Sequence, residues 1–407
     1  MSENHSQESS SFHHISDDEM ETLASQLEKM PMEDDTDDDL ELTLAYIDDL
    51  DLCLISHEPS KKNTLIQAVG RENSIKILTH CPRFSYASVA SLNRSFHDLI
   101  RSGEIYKARS KNKVVEHWVY FSCHMLKWEA FDPVGKKWMH LPMINSGDTC
   151  FAYSDKESMG VGTDLLVLGK HVSGQAVYKY SLLSNSWSEG PTMNKPRCLF
   201  GSASLGTIAI FAGGVNANGK IVDTVESYDS ESGVWEALPS LLKPRKMSSG
   251  VFMDDKFYVI GGCGGEDMKP LSCGEEYDPV AKTWRVIPDM WTGGGGGSMA
   301  PPLLAVVDNE LYAADCEVME VKKYDKNVKV WESIGRLPES ADNMCGWGIA
   351  FRGCGDRVII VGGRWAHGDY AHVEIHSWAP KEGPPQWTRI GRKQSDNFVY
   401  NCAIMGC

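Results

Sequence analysis

Three patterns of apolar and polar positions follow one another along the 407 residues. From about Val114 to Cys407, short apolar runs of strand length alternate with glycine-rich and polar turns, which predicts an all-β domain. Residues 64–110 instead carry aliphatic side chains at helical spacing. Leu92, Phe96, Leu99 and Ile100 fall at i, i+4, i+7 and i+8, one stripe that Gly103 terminates. Upstream, Leu65, Ile75, Ile77 and Leu78 form a second apolar group, broken at Cys81-Pro82 because proline disfavours helix at the residue before it. About three short helices are expected there. So small a unit has little core of its own, so part of its apolar surface is expected to serve a partner or a neighbouring domain. Residues 1–63 are Ser-rich and then acidic, with too little apolar surface to offset the entropy of ordering, which predicts a disordered tail. Within it, Met20, Leu23, Leu27 and Met30 share a helical face, as do Leu44, Ile47, Leu50 and Leu54. These are read either as transient helix or as partner-docking helices.

The β region is periodic. Trp138, Trp187, Trp235, Trp284, Trp331 and Trp387 recur at intervals of 49, 48, 49, 47 and 56 residues. Phe131, Tyr180, Tyr228, Tyr277 and Tyr324 each precede a Trp by seven. Glycine pairs end apolar runs at Gly213-Gly214, Gly261-Gly262 and Gly362-Gly363, while Gly169-Lys170 and Ala313-Ala314 stand in the same place in two other units. A period near fifty with one Trp per unit predicts a propeller of four-stranded blades. The first unit begins with Trp118-Val-Tyr-Phe-Ser, a second strand lacking a first, and the chain ends in Asn397-Phe-Val-Tyr-Asn-Cys-Ala-Ile-Met, a first strand lacking a second. The C-terminus is therefore expected to complete the N-terminal blade, giving six blades and no free edge. The repeat Trp residues are expected to pack the blades rather than to bind a ligand.

Charge changes the picture only at the N-terminus. Residues 1–60 hold 18 acidic residues and a single basic one, Lys29, so they account for −17 of a net −16. The remainder is close to neutral and lacks the basic surface of a nucleic-acid binder. Twelve cysteines without a CxxC pair, and no signal peptide, favour free thiols in a reducing compartment, the nucleus or cytoplasm. No apolar run reaches the roughly 18 residues of a membrane span, so no membrane partner is expected.

Strand parity suggests where a ligand would sit. Connections between second and third strands leave the ring at the same end as the crossovers between blades, and both include long segments, such as 215–223, 263–273, 364–372 and 289–300. Arg197, Arg245, Asn343, Asn397, Arg364 and Trp365 at that end are candidate binding-rim residues, because Arg and Trp are enriched in interface hot spots. Ordinary loop residues or salt bridges between blades are the competing reading of each. Chemistry finds little support. His367, His372 and His376 sit four or more residues apart on a strand, about 13 Å at roughly 3.3 Å per residue, too far for one metal ion. Gly293–Gly297 lacks the Gly-Lys-Ser/Thr of a phosphate loop. No cofactor, metal or catalytic residue is assigned.

The di-glycine, Tyr and Trp order resembles the kelch repeat. Leu65, Ile75, Leu78, Cys81-Pro82 and the stretch Ser88-Val-Ala-Ser-Leu-Asn-Arg-Ser-Phe-His-Asp-Leu-Ile resemble an F-box, although its common Leu-Pro opening is Leu65-Ile66 here. Residues 64–407 together resemble the plant F-box/kelch-repeat family. The resemblance implies an F-box-like helical segment at 64–110 and a six-bladed kelch-type β-propeller at 114–407, preceded by the acidic tail. It further implies a non-catalytic substrate receptor of an SCF-type ubiquitin ligase. In that role Leu65, Ile75, Leu78, Pro82, Val89 and Leu92 would face a Skp-type adaptor or lie beneath that face, a cullin complex would be reached through the adaptor, and the propeller would hold a protein substrate. An interaction scaffold outside any ligase is the alternative, and a propeller oxidase or lyase a more distant one.

Overall fold

A computed structural model describes Leu65, Ile66 and residues 69–124, 126–265, 267–291, 300–341, 346–363, 372–395 and 397–406. The tail expected at 1–63, and Asn343, Arg364, Trp365, His367 and Gly293–Gly297, lie outside the described residues. The chain divides into two units between Glu116 and His117.

Among its described residues the first unit contains four helices: α1 (Gly70–Thr79), α2 (Tyr86–Leu92), α3 (Arg94–Arg101) and α4 (Glu104–Lys111), with a 3-10 turn at Arg83–Ser85. Its core is Leu65, Ile77, Leu78, Cys81, Tyr86, Val89, Phe96, Leu99 and Ile105. One sequence expectation is corrected here. Leu92 and Phe96 do not share a continuous stripe, because Asn93 is extended (φ −169°, ψ 169°) and its side chain caps a new helix, accepting from Ser95 N at 2.9 Å and Phe96 N at 3.2 Å. Phe96 and Leu99 therefore point into the core while Leu92 is 47% exposed. Gly103 takes the left-handed conformation (φ +72°) expected of a C-terminal cap, but the chain turns straight into α4.

The second unit is a ring of six four-stranded antiparallel sheets. Five of them use consecutive segments, as in Gly201–Leu205, Ile208–Ala212, Val225–Asp229 and Val234–Leu238 of blade three. In blade one the inner strand is Asn401–Gly406, paired in register with His117–Ser122 from His117↔Gly406 to Ser122↔Asn401. Inner strands pack side by side around the ring, with Asn401–Gly406 lying against both Glu157–Val161 and Ala350–Cys354. Lys393 of blade six adds an ion pair to Glu129 of blade one at 2.6 Å. The closure read from the strand count is what the structure contains.

The seven-residue offset now has a physical cause. Each pair stands directly opposite across the hairpin of the third and fourth strands, as in Tyr228↔Trp235 and Tyr277↔Trp284, with ring centroids 5.0 Å apart in both. Five indole N–H groups then reach back to the preceding blade: Trp187 to Pro142 O at 2.6 Å, and Trp235, Trp284, Trp331 and Trp387 to Pro191, Pro239, Met290 and Arg336 carbonyls, all at 2.8 Å. The repeat Trp thus packs within its blade and tethers it to the one before. In blade six a 3-10 turn at Pro380–Glu382 lengthens the hairpin, and Trp378 takes the partner place 5.9 Å from Trp387.

Glycine pairs stop the second strand. Gly213 and Gly214 have φ of +71° and +101°, and a Cβ on either would come within 2.4 Å of the Arg245 or Cys198 carbonyl. The strand therefore ends and the connection 213–224 begins. Where Gly169-Lys170 and Ala313-Ala314 replace the pair, the strands run on as Asp164–His171 and Glu310–Asp315.

Candidate functional site

Arg109 is a hub of buried polar contacts in the helical unit, where Arg83 is buried as well. Arg109 of α4 is 2% exposed and donates through Nη1 to the carbonyls of Thr79 at 3.0 Å and Cys81 at 2.9 Å, at the C-terminus of α1, where a positive charge is favoured. It also donates to Tyr86 Oη at 3.1 Å, and its Nη2 pairs with Glu116 at 3.0 Å. Tyr86 Oη passes a hydrogen bond on to Leu78 O at 3.0 Å, and Glu116 accepts from Arg83 N at 3.0 Å. These bonds hold the segment 79–86, which leaves Phe84 40% exposed beside half-buried Pro82.

Of the six residues expected at an adaptor face, Leu65, Leu78 and Val89 are core, Ile75 packs on that core from its edge, and Pro82 is half-buried. Leu92 alone is exposed. The unit therefore presents Phe84 and Leu92 to solvent, supported from beneath by the other apolar residues. Phe84 was missed from sequence, since nothing in its spacing sets it apart. Arg109 and Glu116 were missed too, lying at and just beyond the end of the helical segment.

In the propeller, Arg197 and Arg245 are corrected from rim to interior. Arg197 is 5% exposed and Arg245 0%. Each lies just before an inner strand and turns inward across its blade. Arg197 donates to Gly213 O at 2.9 Å and Phe211 O at 2.8 Å and pairs with Glu226. Arg245 donates to Gly261 O and Cys273 O, both at 3.0 Å, and pairs with Glu275 at 2.6 Å. The reason is the glycine pair: where the second strand stops, its last carbonyls lose their ladder partners inside the protein, and a buried guanidinium with five donors supplies them. The third-strand glutamate balances its charge. The signal was in the sequence, because Glu226 and Glu275 each stand two residues before a repeat Tyr and share the period of the packing residues.

Asn397 is half-buried at this end of the ring, its side-chain amide 3.3 Å from His124 Nδ1. What this end exposes instead is Tyr153 at 82% and Val172 at 83% on blade two, and Trp347 at 42%. Asp148 organises the first two: its carboxylate caps the short helix Thr149–Tyr153 and accepts from Val172 N at 3.1 Å. Those backbone donors hold its carboxyl below the usual range, against a partial desolvation.

Glu157, at the start of the blade-two inner strand, behaves in the opposite way. Loss of hydration pushes its carboxyl up to about 8, although Leu199 N donates to it at 2.7 Å and Arg197 lies nearby. The folded value lies above the unfolded one of 4.5, so the stabilisation linked to this group is complete below about pH 4.5 and is lost as pH rises through 8. Glu157→Gln is expected to raise the melting temperature relative to the parent at pH 8.5 and to change it little at pH 4.5. Equal shifts at both pH values would contradict the assignment.

Among the described residues no helix is long and apolar enough to cross a membrane, and no cluster of potential metal ligands is found. The two described histidines of the 367–376 group, His372 and His376, stand four residues apart on one strand.

A profile of the Kelch motif matches residues 196–242 and 244–290, which are the third and fourth repeats with their arginine, di-glycine, Tyr and Trp. The chain is also similar over most of its length to F-box/kelch-repeat proteins of Arabidopsis thaliana. F-box/kelch-repeat protein At1g26930 is 53% identical over 86% of this chain and 85% of its own length. The chain belongs to the F-box/kelch-repeat family. F-box/kelch-repeat protein SKIP11, at 56% identity over 86% of this chain and 77% of its own, and F-box/kelch-repeat protein At1g74510, at 50% over 82% and 77%, are further relatives. In this F-box/kelch-repeat chain both matches to the Kelch motif fall within the ring.

Proposed function

We propose that this chain is the substrate-recognition subunit of an SCF-type ubiquitin ligase. Its helical unit binds a Skp-type adaptor and, through it, a cullin complex, while the propeller holds the protein to be modified. The observation that carries this reading is the exposure of Phe84 and Leu92 on a small, internally braced helical unit in a member of the F-box/kelch-repeat family. Large apolar side chains opened to water on so small a unit suit a partner's groove. The chain itself performs no chemistry on this reading; holding a target beside a charged ubiquitin conjugate raises the effective concentration of the reacting groups. Free thiols such as the exposed Cys198 suit the reducing nucleus or cytoplasm, where we place it.

The test uses the intact chain and a recombinant Skp-type adaptor in a titration. Phe84→Asp with Leu92→Asp is expected to weaken binding by about 2–4 kcal/mol, the range of interface hot spots, while the melting temperature stays near that of the parent because both side chains are outside the core. Tight binding by the parent that the double variant retains would remove these residues from the interface, and no binding by either would sink the ligase role.

A further inference from the structure

The near-neutral balance of residues 61–407 averages over a helical unit that is strongly basic. Between Val69 and Glu116 stand nine Lys and Arg against four Asp and Glu, a net of +5. Two of the four carboxylates are already matched, Glu104 by Arg71 at 2.5 Å and Glu116 by Arg109 at 3.0 Å. The other two are Glu72 of α1 and Asp98 of α3, the latter 3.4 Å from His97 Nδ1. Against them, Arg94 and Arg101 of α3, Lys107 and Lys111 of α4 and Lys113 just beyond it are all exposed, and none forms an ion pair with a described residue. Lys107 and Lys111 stand one turn apart on the side of α4 opposite the buried Ile105 and Arg109. Helix dipoles do not account for the whole set. Arg101 and Lys111 fall in last turns, where a cation is favoured, but Arg94 opens α3 at its positive end and Lys107 lies outside the last turn of α4.

We propose that the acidic N-terminal segment of this same chain, centred on residues 33–39, docks on the basic surface of α3 and α4 and screens it from other polyanions. The inference is independent of the ligase role. Residues 1–60 carry 18 acidic residues and one basic, and the run Glu-Asp-Asp-Thr-Asp-Asp-Asp at 33–39 puts six carboxylates into seven residues. Each part of the chain thus supplies the opposite charge that the other lacks. Reach is sufficient. Asp39 and Val69 are 30 residues apart, and a flexible chain of that length spans about 30 Å, while a folded unit of this size is about 25 Å across. A segment tethered in this way acts at an effective concentration in the millimolar range, so individually weak contacts are enough to hold it. A nucleic acid or an anionic membrane meets the same five cations, but has to displace a polyanion that is already attached.

The first test couples carboxylates to amines with a carbodiimide on the dilute full chain and locates the links by mass spectrometry. Amide links from residues 33–39 to Lys107, Lys111 and Lys113 are expected at low salt, and about tenfold fewer at 1 M salt, where charges are screened within about 3 Å. A mixture of isotopically light and heavy chains is expected to give links within one chain only. The second test is the anisotropy of a labelled single-stranded oligonucleotide at low salt. A full chain with Glu33 changed to Gln and the five aspartates of 34–39 to Asn is expected to bind it about tenfold or more tightly than the parent. Adding Arg94→Glu, Arg101→Glu, Lys107→Glu, Lys111→Glu and Lys113→Glu is expected to abolish that gain, with a melting temperature near the parent's because all five side chains are exposed. Links from 33–39 mainly to propeller lysines such as Lys282 and Lys329, links between light and heavy chains, or no links at all would overturn the proposal. So would an oligonucleotide, or vesicles of anionic phospholipid, bound as tightly by the parent as by the amide variant.

Discussion

A chain ending at Gln394 is expected to lose the cooperative unfolding transition of the propeller altogether. The segment removed contains the inner strand Asn401–Gly406, whose six residues pair with His117–Ser122 and whose Cys402, Ala403 and Met405 are buried. A buried methionine alone is worth about 1.5–3 kcal/mol. The strand also covers Trp118 and Tyr120, which are 2% and 0% exposed, and seats against the inner strands of both neighbouring blades. Contact there is close enough that a Cβ on Gly160 would meet Ile404 O at 2.5 Å. Opening it leaves unpaired strand edges as well as bare apolar surface. The combined loss is comparable with the whole stability of a typical domain, about 5–15 kcal/mol. Calorimetry of the truncated and intact chains reads this directly. A truncated chain that melts cooperatively at the parent temperature would mean that the ring does not depend on this strand.

Arg245→Met is expected to cost about 3–5 kcal/mol, because it leaves a buried carboxylate without its partner. Both side chains of the pair are fully buried, and Glu275 also accepts from Leu242 N at 2.7 Å and Lys243 N at 3.1 Å, so its charge cannot relax into water. The carbonyls of Gly261 and Cys273 lose their donor at the same time. Urea denaturation of Arg245→Met, Glu275→Gln and the double variant gives the coupling between them. The double variant is expected to be more stable than the sum of the single losses implies. An Arg245 variant as stable as the parent but impaired in target binding would instead restore the residue to the rim.

Architecture was legible because propeller signals are local. A hairpin places residues seven apart opposite each other, so Tyr277 and Trp284 announce a blade without knowledge of any other blade. Counting strands from Trp118 to the C-terminal Asn-Cys-Ala-Ile-Met run gave the closure. What local pattern could not give was direction. Arg197 and Arg245 stand in connections, where a charged side chain is exposed by default, and only their period, shared with Glu226 and Glu275, marks them as packing residues. Asn93 misled similarly: the apolar spacing ran through it, but its side chain breaks one helix and starts the next. On the helical unit, sequence named residues beneath the candidate face more readily than those on it, since burial leaves a periodic trace and exposure of Phe84 leaves none.

Division of labour between the helical unit and the ring is the claim on which the functional account stands. Hydrogen–deuterium exchange on the full chain, with and without saturating Skp-type adaptor, tests it most directly. Added protection is expected only in the helical unit, strongest between Ile75 and Leu92, with propeller amides unchanged. Protection concentrated in the blades, or none anywhere at saturating adaptor, would contradict it.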